Sequence, residues 1–399
     1  MDVPMLDGVT VLDLSAVGPA SRATRWLADY GAAVVKVGAV IKGGEAAKVG
    51  AAGGPRTEPP FHAYGGGRGM RTIRLDLKSE DGREAFLRLA ERADVIVESF
   101  RPGVVDRLGI GYAAVAARNK RIVYCSTTGF GQRGPRAQWA GHDLGYLAVG
   151  GYLHCSGRGP GGLPALPGAS IADAAGGGLQ AVVAVTAALY ARERRGTGAY
   201  LDVAIADGVL ALMSLSTDEY LATGAEPGPG SSLLSGRYAC YDVYRAGDGK
   251  FLVVAAIEPR FWANLCRALG LAQWTDRQLD ETAQPDIRSA LTHAFGARPR
   301  DAWVEELSAA DTCVAPVLSI PEVIADAQFR ERNVFVAAIH ETHGELRQVG
   351  APLAGGASIG QPVQLGSGLD TGTDTDAVLG EAGLTGPEIA ALRERGAAC

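Results

Sequence analysis

The chain predicts an α/β fold: a Rossmann-like parallel sheet forming a large domain, with a smaller α+β domain beside it. Three observations carry this expectation. Over the first 130 residues, short apolar β-runs alternate with helical segments at the spacing of right-handed βαβ units. The stretch GAEPGPGSS (224–232), rich in Gly, Pro and Ser, then separates this texture from a different one. Finally, 399 residues exceed what one simple core accommodates. The boundaries expected are 1–222 plus 331–399 for the large domain and 223–330 for the small one.

Each element has its own reason. VTVLDL (9–14) reads as the first strand, followed by a helix from Pro19 to about Tyr30, with proline in the first turn where its missing N–H costs nothing. AVVKV (33–37) and TIRLDL (72–77) are the next strands, and a helix runs from about Glu80 to Ala93. DVIVESF (94–100) and RIVYCSTTG (121–129) follow, with a short helix between them. Residues 176–195 form a long apolar helix closed by Gly196, then YLDVAIAD (200–207) adds a strand and an apolar helix reaches about Ala222. In the small domain, YACYDVYRAGDGKFLVVAAI (238–257) is a hairpin turning at GDG, and a helix starts at Pro259 with Glu258 at its cap. Residues 300–331 give helix, strand (CVAPVLS) and helix. VFVAAIH and ELRQVGAPL read as strands, residues 365–377 as a polar loop, and TGPEIAALRERG as a helix with Thr385 and Glu388 at capping-box spacing.

The bulk numbers exclude several classes. A net charge of −6 gives no basic footprint for nucleic acid. Six scattered cysteines contain no CxxC pair, so neither a disulfide framework nor a metal site is expected. No basic segment leads into an apolar one at the N-terminus, and the run LQAVVAVTAALY is too short to span a bilayer, so a cytoplasmic protein without a membrane span is expected. GGGRG (65–69) and GRGPGG (157–162) do not follow a strand as GxGxxG, and Walker A, GxSxG and HExxH patterns are missing. The stretch GRGPGGLPALPG (157–168) is a candidate mobile lid or a plain surface loop.

Ligands of parallel sheets sit at the carboxyl ends of the strands, which here carry residues 15–18, Lys36, residues 99–101 and residues 127–131. Three acid–base candidates stand at element boundaries beside Gly or Pro: His142 in AGHDLGYLAVGG, Asp173 in SIADAAGGG and Glu258 in AIEPRF. Taken singly, each also has a structural reading, as a surface imidazole or a helix cap, and the GGG after Asp173 suits close helix packing. Lys36, Arg68, Arg71, Arg101 and Arg107 would together make a cationic rim on an acidic protein, suited to a phosphorylated ligand.

Longer stretches carry a resemblance. LADYGAAVVKV, RTIRLDLKSEDG, ESFRPGVVDRLGIGY, TGFGQRGP, AGHDLGYLAVGG, ALYARERRGTG, YRAGDGKFLVVAAIEPRFW and DTCVAPVLSIPEV resemble family III CoA-transferases (the CaiB/BaiF family) over nearly the whole chain, and most closely its α-methylacyl-CoA racemase branch. The resemblance implies an interlocked homodimer acting on an acyl-CoA thioester, with coenzyme A as part of the substrate and no other cofactor required. It implies His142 and Asp173 as the two proton-transfer groups of a 2-methylacyl-CoA racemase, with Glu258 supporting the imidazole. In the transferase branch Asp173 would instead be a nucleophile that moves CoA between carboxylic acids. A third possibility is a CoA-binding relative without activity. Implied CoA contacts are Lys36, Arg68, Arg71, Ser99, Phe100, Arg101, Arg107, Gly141, Asp143 and Tyr146. The chain departs from the pattern at Gly145, where the racemases carry Asn, at Gly38, where an acid is usual, and in GRGMRT, where NRGKRS is usual. A helix start at Asp173 is expected to lower its pKa.

Overall fold

Six parallel strands build the first sheet of the computed structural model, which describes residues 4–15, 18–40, 67–340, 344–350, 363–364 and 374–399. They are β1 (Thr10–Asp13), β2 (Ala33–Gly38), β3 (Met70–Arg74), β4 (Val95–Glu98), β5 (Val123–Thr128) and β6 (Ala199–Ala204). Their order is β3-β2-β1-β4-β5-β6, and every neighbouring pair is parallel. The order reverses between β1 and β4, which places a crevice at the carboxyl ends of those two strands. All residues of β4 and β5 are buried, as expected for strands covered on both faces.

One face of the sheet packs Leu12, Val35, Ile73, Ile96 and Tyr124 against α2 (Glu80–Ala90) and the C-terminal residues Val378, Leu379, Ile389 and Leu392. The other packs Val11, Val34, Val95, Val97 and Val123 against α1 (Pro19–Asp29) and the helix ending at Arg195. That helix starts earlier than its hydrophobic pattern predicts. Residues Ala172–Leu179 are wound as a π-helix and continue directly into α4 (Gln180–Arg195), preceded in the chain by the short α3 (Asp143–Val149). By length and composition the combined 24 residues could cross a membrane. The packing makes them a core helix instead, with Ala181, Val182, Val185 and Leu189 buried against the sheet. Gly196 closes it in the left-handed conformation (φ 72°), its N–H donating to the Arg192 carbonyl.

The chain divides into two compact units, residues 1–152, 167–214 and 327–399 in one and 153–166 and 215–326 in the other. Residues 153–166, expected in the large domain, therefore group with the smaller unit. The larger unit also holds α5 (Ile205–Leu212), and the smaller contains α6 (Pro259–Ala268) and the antiparallel sheet β7 (Tyr241–Arg245), β8 (Phe251–Ala255) and β9 (Val314–Pro316). Its core holds Trp262, Phe295 and Trp303, the last two edge to face at 5.9 Å. The expected strands after residue 334 form as β10 (Phe335–His340) and β11 (Gly344–Val349), paired antiparallel, and the Thr385 capping box forms with both bonds. The polar loop predicted at 365–377 lies outside the described residues up to 373.

Candidate functional site

The carboxyl end of β1 is tied down by a single buried carboxylate. Asp13 accepts from the Ser15 N–H (2.7 Å) and hydroxyl, from Thr24 Oγ1 on α1 (2.8 Å), and from Lys36 Nζ on β2 (2.9 Å). It thereby fixes two strands and the start of α1 relative to one another. Lys36 is one-fifth exposed and engaged by this carboxylate.

His142, Asp143 and Asp173 come together in the large unit. His142 is the exposed N-cap residue of α3, in extended conformation, and its side chain makes no capping bond. Asp143, in the first turn, reaches across and accepts from the backbone N–H of Asp173 at 2.8 Å. Tyr146, a turn further, donates its hydroxyl to the Gly141 carbonyl at 2.7 Å. Its ring lies so close to Gly129 and Gly141 that a Cβ at either would sit within 2.6 Å of it, so both positions require glycine. Burial, then Asp173 and Asp143, push the Tyr146 phenol up and keep it a donor.

Asp173 occupies the first turn of the π-helix and is half-buried. Its carboxyl lies above the ordinary carboxylate range: partial burial and the Asp143 charge raise it, while Arg22 and His142 oppose the rise without cancelling it. The sequence expectation of a lowered value thus fails, because desolvation and a like charge outweigh the helix end. The glycines after Asp173 are contact surfaces. A Cβ at Gly177 would fall 2.6 Å from Pro19 Cβ on α1, and one at Gly178 would fall 2.9 Å from the Trp26 ring. One at Gly208 of α5 would fall 1.8 Å from the Gly176 carbonyl oxygen. The π-segment is wedged between α1 and α5, which fixes the direction in which Asp173 leaves the helix.

The basic rim expected from the sequence is only partly available. Arg68 is fully buried, paired through two nitrogens with Asp29 and donating to the Val349 carbonyl. Its charge is spent inside the fold, which corrects its expected role as a phosphate contact. Arg71 pairs with Glu381 at the surface (2.7 Å). Arg101 and Arg107 are exposed, with no ion pair among the described residues, and Ser99 is exposed beside a half-buried Phe100. Beneath them lies a group that sequence reasoning missed. Glu98, fully buried at the end of β4, accepts the Phe100 N–H at 2.7 Å. Burial pushes its carboxyl up to about 7, against its hydrogen bonds with Ser126 and Phe100, and Asp106 and Asp202 add to the rise. The signal was an acid ending an apolar strand, VIVE.

Arg22 on α1 was also missed. It is exposed and donates to Ser170 Oγ at 3.3 Å, three residues before Asp173. Glu258, in the smaller unit, caps α6 by position only, for its exposed side chain makes no capping bond. The candidate lid is a bonded hairpin: Gly159 N–H donates to Leu163 O and Ala165 N–H to Gly157 O, both at 2.8 Å. Gly145 has open space where a Cβ would stand. Cavities of about 280 and 510 Å³ open near Phe130 and Tyr200, and neither is lined by His142 or Asp173.

Known proteins are similar to the chain over most of its length. Residues 6–364 match CoA-transferase family III. The chain is 33% identical to human alpha-methylacyl-CoA racemase over 334 residues, 84% of this chain and 83% of that protein. It is also 33% identical to the acetyl-CoA:oxalate CoA-transferase of Acetobacter aceti over 339 residues, covering 83% and 85% of the two chains. Among solved structures, a CaiB/BaiF family protein from Brucella suis superposes with a TM-score of 0.74 at 28% identity, over 95% of this chain and 99% of the other.

Proposed function

The chain belongs to CoA-transferase family III, and from that premise we propose that it is a 2-methylacyl-CoA racemase. The observation that carries this reading is the pairing of His142 with an Asp173 whose carboxyl is held above its ordinary range. Inversion at C2 needs one group to take a proton from one face while another gives a proton to the opposite face. An ordinary carboxyl is a poor donor near neutrality, and the setting of Asp173 moves it toward that role.

In this reading His142 removes the C2 proton and the electron pair moves into the thioester carbonyl, giving an enolate. Asp173 then delivers its proton to C2 from the other side; the reverse direction exchanges the two roles. The enolate oxygen needs donors; at the start of α3 the N–H groups of Gly145 and Tyr146 already donate to the His142 carbonyl, which leaves those of Asp143 and Leu144 as candidates. Glu258 stays a candidate supporting group in this reading, its exposed side chain making no capping bond. Lys36, Arg71, Ser99, Phe100, Arg101, Arg107, Gly141, Asp143 and Tyr146 remain the proposed CoA contacts; Arg68 is withdrawn. We propose a homodimer, supported by the helix Ser214–Thr223, none of whose residues is buried although Leu215, Tyr220 and Leu221 are apolar.

The second reading is CoA transfer, favoured by the equal identity to the oxalate enzyme. An Asp173 oxygen would attack the thioester carbonyl and release CoA thiolate, leaving a mixed anhydride. The thiolate would then attack the aspartyl carbonyl, free the first acid and leave an aspartyl-CoA thioester for the acceptor.

Incubating one enantiomer of a 2-methylacyl-CoA in deuterated water separates the two. Deuterium at C2 with inversion supports racemisation, and His142→Ala is expected to abolish it. Inactivation by hydroxylamine, with CoA moving only when an acid is supplied, supports transfer. Wild-type exchange in His142→Ala removes the imidazole from the mechanism.

A further inference from the structure

Some surface arginines of this chain meet a carboxylate, as Arg71 meets Glu381 and Arg118 meets Glu84, and others, Arg101 and Arg107 among them, meet none among the described residues. Arg22 is of the second kind, and what sets it apart is its place next to Asp173. Its guanidinium, with five donors, makes one bond of 3.3 Å to a neutral hydroxyl and no ion pair among the described residues. It is nevertheless beside the reacting group. Ser170, its partner, accepts the N–H of Ala174 and so begins the turn that carries Asp173. A Cβ at Gly178 would lie 3.3 Å from Arg22 Cβ, so α1 holds this arginine against the π-segment. Exposed, held by one long bond to a hydroxyl and close enough to Asp173 to oppose the rise of its carboxyl, this guanidinium has donors left for an anion from outside the chain.

We infer that Arg22 is a specificity-determining residue that selects thioesters whose acyl group ends in a second carboxylate. The inference rests on the proposed function, in that the acyl chain must lie beside Asp173. Three charged or titratable groups face the same space: Asp143 and Asp173, which repel a substrate carboxylate, and His142. Arg22 offsets that repulsion and recognises the anion in bidentate fashion, which a lysine ammonium cannot do. The Gly145 side of α3, with nothing within 4 Å of where a Cβ would stand, leaves room for the chain. In this picture Arg22 does not take part in proton transfer. Its opposition to the rise of Asp173 is a secondary effect that conversion to a neutral residue would also disclose.

Two esters of the same shape test it: 2-methylbutanoyl-CoA, and the analogue in which the terminal methyl is a carboxylate. Wild-type protein is expected to prefer the carboxylate ester in kcat/KM by about 10- to 100-fold, the range of one charged hydrogen-bonded contact. Arg22→Gln should bring that ratio to about one, and Arg22→Lys should leave it between. A wild-type preference for the methyl ester, or an Arg22→Gln variant that slows both esters equally, overturns the proposal; the second outcome would assign Arg22 to Asp173 alone. Affinities of both esters for Asp173→Asn protein, with and without Arg22→Gln, read the same ratio without turnover. If turnover fails while the affinity ratio shifts as expected, the proposed reaction falls and the Arg22 assignment stands. If neither ester binds, both fall.

Discussion

Glu98 carries its carboxyl where charge is opposed, and this has a measurable sign. Between the ordinary carboxylate range and about 7, the folded chain holds a proton there that the unfolded chain releases. The corresponding stability is full below that window and is lost as pH rises through it. At ~1.4 kcal/mol per pH unit the loss is on the order of 3 kcal/mol. Glu98→Gln cannot titrate, so urea unfolding at about pH 5 and about pH 8 should show the variant gaining on wild type at the higher pH; a pH-independent difference would mean that Glu98 is ionised throughout. At this scale His142, Asp143 and Asp173 were legible because each sits in a short local motif. Arg68 was misread because its partners, Asp29 and Val349, lie far away in sequence. Arg22 and Glu98 were not legible because pairing and burial, which give them their character, are properties of the fold.

Among elements, the contrast between two glycines is the sharpest test. Alanine at Gly208 would thrust a methyl into the Gly176 backbone and should destabilise by about 3 kcal/mol or more, with loss of the Asp173 geometry. Alanine at Gly145 meets nothing and lies in a helix, so it should stabilise by roughly 0.5–1 kcal/mol. Thermal or urea denaturation of the two variants decides it; comparable losses at both sites would contradict the packing described. The alternation of strands and helices was readable because most strands of the large sheet are short and largely apolar, β3 (MRTIR) being an exception. The π-winding of Ala172–Leu179 was not, since hydrophobic periodicity cannot distinguish it from three glycines in an ordinary helix. Strand order likewise comes from crossovers, which local pattern does not encode.

For the molecule as a whole, the proposed homodimer predicts that sedimentation finds two chains per particle. Leu221, three-quarters exposed on a helix with no buried residue, should matter to it. Leu221→Asp is expected to shift the protein toward monomer at micromolar concentration and to reduce turnover in parallel, whereas an unchanged dimer would place the interface elsewhere. The two units divide at 214/215 and 326/327, so the 224–232 linker lies inside the smaller unit and does not mark the boundary, and the grouping of residues 153–166 with that unit was not expected. Nothing in GRGPGG marks which unit its hairpin joins.

The winding around Asp173 has one more corollary. Consecutive residues of an ordinary helix are turned by about 100°. A chain one residue shorter between Ala174 and Gly178 could therefore recover regular α bonding and swing the Asp173 carboxyl to another quarter of the helix. The irregular turn is thus an aiming device, and its register is as much a part of the chemistry as the side chain it points.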